Sequence, residues 1–117
     1  MKNELIKRTK KFALDCWYFC GKVPKSREFN AYVSQLIRSS SSVGANYRAS
    51  QRAKSSADFI NKLKIVEEEV DESLYWLEIF QEIIKGHDKQ ISSLLKEGSE
   101  ILAIMVASIN TARKNSK

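Results

Sequence analysis

The chain has 117 residues, a net charge of +6, 43% hydrophobic residues and one proline. That length supports one domain with a single core and no covalent staples. So few helix breakers exclude a β sandwich, which turns every 8–12 residues or so, and no apolar run approaches the roughly 20 residues of a membrane span. The charge is uneven: residues 1–64 hold 14 Lys/Arg against 4 Asp/Glu, and residues 65–117 hold 6 against 10.

The first predicted helix runs from about Glu4 to Cys20, with Leu5, Phe12, Cys16, Phe19 and Cys20 on its apolar stripe. Lys7, Arg8, Lys10 and Lys11 sit largely off that stripe. Nothing apolar and uninterrupted follows this basic start, so it does not read as a signal peptide. Cys16 and Cys20 are one turn apart; a disulfide at that spacing would be strained. Two thiols with one distant His87 make no metal set. Structural thiols fit a reducing, cytoplasmic setting. Gly21 is a natural stop, and Ser26 a candidate N-cap for the next helix.

The second segment starts near Arg27 and carries Phe29, Val33, Leu36, Ile37, Ser40, Val43, Gly44 and Tyr47 on one stripe. Its centre reads SSSSVGA. Serine and glycine cost helix propensity, yet the apolar period continues through Val43 and Tyr47 in phase. A helix is therefore expected rather than a loop, with the small residues admitting a neighbour closely. Asn46 is a candidate polar residue for fixing helix register, and Arg38, Ser40 and Gly44 are assigned structural roles with it.

Ser55 or Ser56 caps the third segment, with Asp58 well placed in the first turn. Phe59, Leu63, Val66, Val70, Leu74, Leu77, Phe80 and Ile84 recur at three and four residues, a core stripe of about seven turns. It stops at Gly86. Asp88 is the expected cap of the fourth segment, whose stripe is Ile91, Leu94, Leu95, Ile101, Leu102, Met105 and Ile109. Gly98 marks a close approach or a weak point. The tail TARKNSK is expected to fray, and His87 to be an exposed turn residue. Four helices with mostly short connectors give an all-α, antiparallel up-down four-helix bundle over residues 1–117.

Two groups of residues exceed what such a bundle needs. Trp17, Tyr18, Tyr75, Trp76 and Ile79 lie beside the main stripes. Either a wide core takes them in or they form a subunit interface, the reading favoured here. Arg48 and Arg52 share a face one turn apart, followed by Lys54. They either clamp phosphate oxygens, to which guanidinium binds in a bidentate way, or pair with Glu67, Glu68 or Asp71 of the next helix. Lys7, Arg8, Lys10 and Lys11, with Lys22, Lys25 and Arg27, form the other basic cluster. Phosphate binding at these positions would be independent of base sequence and weakened by salt. Aromatic and basic residues do not interleave along the chain as in base-stacking modules.

The order Gln35, Arg38, Ser39, Ser40, Ser42, Asn46, then Phe59, Leu63 and Tyr75 to Glu78 resembles the bacterial four-helix-bundle family found in intervening sequences of large-subunit ribosomal RNA genes. Its relatives include the accessory variability protein of diversity-generating retroelements. The resemblance implies an antiparallel bundle, ring-like homo-oligomers with pentamers typical, and contacts with nucleic acid and a reverse transcriptase. Many members carry a glutamate shortly after the asparagine; here Ala49 or Ser50 takes its place, leaving the segment more basic.

No enzymatic constellation emerges. A serine nucleophile needs a nearby base, and His87 is the sole histidine. There is no glycine-rich phosphate loop, and the acidic run Glu67–Glu72 lacks the Glu-x-x-His pairs of bundle metal sites. No cofactor is expected. A homo-oligomeric accessory protein that meets RNA or DNA through phosphates is the leading expectation; a protein-interaction scaffold is the alternative.

Overall fold

A computed structural model describes residues 2–116. They form four helices in chain order: α1 (Lys2–Cys20), α2 (Arg27–Ser50), α3 (Ser56–Ile83) and α4 (Asp88–Asn115). The bundle is an antiparallel rod of 49 × 22 × 21 Å, as helices of 19 to 28 residues at about 1.5 Å rise require. Each helix packs on its chain neighbours and α1 closes against α4; the diagonal pairs keep their backbones apart, and α1 and α3 meet through core side chains such as Phe19 and Phe80. No helix among the described residues is long and apolar enough to cross a membrane.

The caps explain two of the helix starts. Ser26 and Ser55 are extended, and their side chains accept the amides of Phe29 and Asp58, each at 3.0 Å. The carboxylate of Asp58 reaches back to the Lys54 amide at 3.0 Å. Asp88 does not cap α4 as expected. It is the first helical residue, and His87 holds the cap position without a side-chain bond. α3 stops at Ile83, Ile84 is extended, and Gly86 takes φ +87°, a left-handed conformation that glycine adopts without a Cβ penalty. His87 is half-buried rather than exposed, with its ring 6.3 Å from that of Phe19. α4 runs through to Asn115, so most of the tail segment is helical.

Phe12, Phe19, Leu36, Leu63, Leu77 and Phe80 are among the fully buried side chains at the centre. The serine run is helical throughout, and its chemistry shows why. Ser39 and Ser40 are buried. Ser73 of α3 donates to Ser39 Oγ at 2.9 Å, and Ser39 donates on to the Leu36 carbonyl at 3.3 Å. Ser40 faces the Cys16 thiol of α1. A Cβ on Gly44 would stand 3.3–3.4 Å from the α1 backbone at Thr9 and Lys10. Small residues thus let α2 approach both neighbours. Gly98 does the same for α4: a Cβ there would meet Leu74 at 2.7 Å and Phe12 at 3.3 Å.

Asn46 does not provide the cross-helix bond. It is half-buried and donates to the Ser42 carbonyl of its own helix at 2.8 Å. Ser39 and Ser73 tie α2 to α3 instead.

Candidate nucleic-acid interface

The arginines of α2, and Arg52 in the turn just past it, have divided environments. Arg38 reaches across to α3, donating to Glu69 at 3.2 Å and to Glu72. These bonds hold the Glu72 carboxyl below its usual range and raise the Arg38 guanidinium. Glu72 also accepts from the indole nitrogen of Trp76 at 3.1 Å. Three turns further along, Arg48 and Arg52 are exposed. Among the described residues no carboxylate lies within ion-pair distance of either. The alternative pairing with Glu67, Glu68 or Asp71 is therefore not formed.

The basic cluster of α1 splits as well. Arg8 makes a bidentate bond to Glu97 of α4, at 2.7 and 3.0 Å, and reaches Glu100 at 3.1 Å. Its guanidinium charge is thereby fixed on the α1–α4 seam, and its pKa is raised by the Glu97 bond. Lys11 pairs with Asp15 one turn along its own helix at 2.7 Å. Lys7 is exposed. Lys10 turns the other way, toward α2.

Lys10 meets Arg48 and Arg52 along a groove of about 520 Å³ between α1 and α2. Half-buried Ile6, Ala13 and Gly44 form its apolar lining, and Ser41, Ala45 and Gln51 complete it. On the other side of the α2 ridge, Arg48 and Arg52 line a second groove with Lys54, Lys62 and the carboxylate of Asp58. Lys62 is held by Asp58 at 2.5 Å. Sequence reasoning did not single out Lys62, because only the fold brings the start of α3 beside the end of α2.

The aromatic residues also separate. Trp17, Tyr18 and Tyr75 are exposed, at 57%, 61% and 54%. Trp76 is not surplus: it is half-buried in the α2–α3 seam, its ring 5.6 Å from that of Tyr32. Ile79 is half-buried and lines an α3–α4 groove with Tyr75 and Leu95. The exposed aromatics therefore sit on α1 and α3, the diagonal helices, as two patches rather than one stripe.

Both thiols are buried and unpaired. Burial pushes Cys16 up to about 12 and Cys20 up to about 11. Among the described residues no three His, Cys, Asp or Glu side chains converge as a metal site would need.

These features define a small antiparallel four-helix bundle whose α1–α2 face carries a groove edged by three cations. The chain belongs to the 23S rRNA-intervening sequence protein family, whose model matches residues 1–107. It is similar in structure to a protein of unknown function from the S23 ribosomal protein family of Bacteroides thetaiotaomicron VPI-5482, solved at 1.70 Å. The TM-score is 0.85 and the identity 31%, over 94% of this chain and 99% of that one. None of the curated proteins matches the chain.

Proposed function

We propose that the protein is a non-enzymatic, homo-oligomeric accessory protein that binds the phosphate backbones of nucleic acid without reading base sequence. One observation carries this reading: Arg48 and Arg52 stand exposed beside Lys10 with no carboxylate partner, while Arg8 and Arg38 are held by acidic residues. Unpaired guanidinium groups one turn apart suit phosphate oxygens. The family's association with ribosomal RNA intervening sequences supports the same chemistry. Exposed Tyr75 beside Ile79 on α3 supports self-association, since large exposed rings favour protein contacts. Repeating the cationic groove in each subunit would turn weak contacts into avidity.

Filter binding with RNA and DNA at low salt, with native mass measured in parallel, tests both parts. Binding of both polymers by a multimer is expected. A monomer with no affinity for either polymer contradicts the proposal.

A further inference from the structure

The α1 side of the cationic groove is a single row. Ile6, Lys10 and Ala13 follow one another at helical spacing, and the same spacing continues to Trp17. Trp17 lies about 10 Å beyond Lys10 along the helix axis. It is 57% exposed, and Tyr18 beside it is 61% exposed. The two rings meet edge to face at 5.2 Å, and neither belongs to the buried core or packs against it. Two of the three cations on this face come from the end of α2 and the turn after it, and the aromatics from α1, so the chain shows no interleaving of the two although the fold places them end to end.

An exposed aromatic pair continuing a cationic groove has the two parts of a single-strand site. The cations track the backbone, and the rings offer a face to an unstacked base. A duplex has its bases already stacked and presents only phosphate to such a surface. Among the described residues the pair is joined ring to ring and to no lysine or arginine.

From this juxtaposition we infer that the α1–α2 face takes single-stranded nucleic acid, with phosphates along Lys10, Arg48 and Arg52 and a base on Trp17. This rests on the phosphate-binding reading and goes beyond it, by choosing the single strand and adding base stacking. Sequence independence is retained, because every base has a π-face.

The test uses the full chain with Trp76→Phe, which leaves Trp17 as its one indole. It is titrated at low salt with a short oligouridylate, a blunt duplex and inorganic polyphosphate. The oligouridylate should quench Trp17 fluorescence; duplex and polyphosphate should bind without quenching. Trp17→Leu should weaken the single strand by about fivefold or more, leave polyphosphate affinity unchanged, and be largely rescued by Trp17→Phe. Equal binding of all three probes with Trp17 unquenched overturns the inference and leaves phosphate binding standing. A Trp17→Leu chain of smaller native mass assigns the aromatic pair to a subunit contact, which also overturns it. Failure of every polyanion to bind defeats both this inference and the reading beneath it.

Discussion

The two halves of α2 carry the same residue type in opposite circumstances. Arg38 in the first half is tied to Glu69 and Glu72 of α3, next to the Ser39–Ser73 bond that joins the same two helices. Arg48 in the second half, and Arg52 just past its end, make no ion pair among the described residues and border two grooves, one of which Asp58 also lines. The contrast follows from where the acidic residues of α3 fall. They cluster from Glu67 to Glu72, opposite the middle of α2, whereas the start of α3 beside the end of α2 offers Asp58, already engaged by Lys62. A guanidinium satisfied by the bundle's own carboxylates contributes to the fold; one without such a partner is available to an external anion.

Charge reversal at the unpaired end should have the largest effect. The double variant Arg48→Glu, Arg52→Glu loses two charge-assisted contacts, each worth about 1.5–3 kcal/mol. Nucleic-acid affinity at low salt should fall on the order of a hundredfold or more, read by filter binding. Thermal stability should shift by no more than about 1 kcal/mol, since both side chains are exposed and the main penalty is a poorer match to the helix dipole.

Ser73→Ala probes the tied end. It deprives the buried Ser39 hydroxyl of its cross-helix donor, so stability should fall by about 1–3 kcal/mol in a denaturant titration. Nucleic-acid affinity should be unchanged. A binding loss here would mean that the two halves are not independent.

Arg38→Ala is a gentler probe of that end. The ion pairs are a third to a half exposed, so after solvent screening the loss should stay below about 1 kcal/mol. Its pH dependence has a definite sign. Glu72 is held below the usual carboxylate range in the folded state. The contribution is therefore present in full above the unfolded carboxylate pKa of about 4.3 and disappears as pH falls through the lowered folded value. The wild-type and Arg38→Ala melting curves should differ at neutral pH and converge in acid.

The smallest expected signal is an absence of reaction. Cys16 is fully buried, and both thiols are pushed well above neutrality. A thiol reagent at pH 7 should label neither until denaturant is added. Rapid labelling of the folded protein would mean that the α1–α2 seam opens readily, including the groove that holds the cations.

Much of this architecture was legible in the residues. The stripes on all four helices, the Ser26 and Ser55 caps, the close approaches at Gly44 and Gly98 and the continuity of the serine helix all follow from periodicity and local chemistry. What escaped depends on which helix faces which. Four adjacent serines look alike in sequence, and only the crossing of α2 with α3 selects Ser39 to receive Ser73. Asn46 looked like the polar register residue but found a carbonyl on its own helix. Trp76 looked surplus because its cover, Tyr32, lies on another element. Arg8, Arg48 and Arg52 were equivalent as candidate phosphate ligands. The fold sorts them by their distance from Glu69, Glu72, Glu97 and Glu100.

The salt dependence of oligonucleotide affinity, compared between the wild type and the neutral double variant Arg48→Gln, Arg52→Gln, tests the central claim most directly. If the two unpaired guanidinium groups each hold a phosphate, the slope of log K against log salt should become shallower by about 1.4 to 1.8 in the variant. An unchanged slope with unchanged affinity would contradict the account, because the two cations left free by the fold would then touch no phosphate.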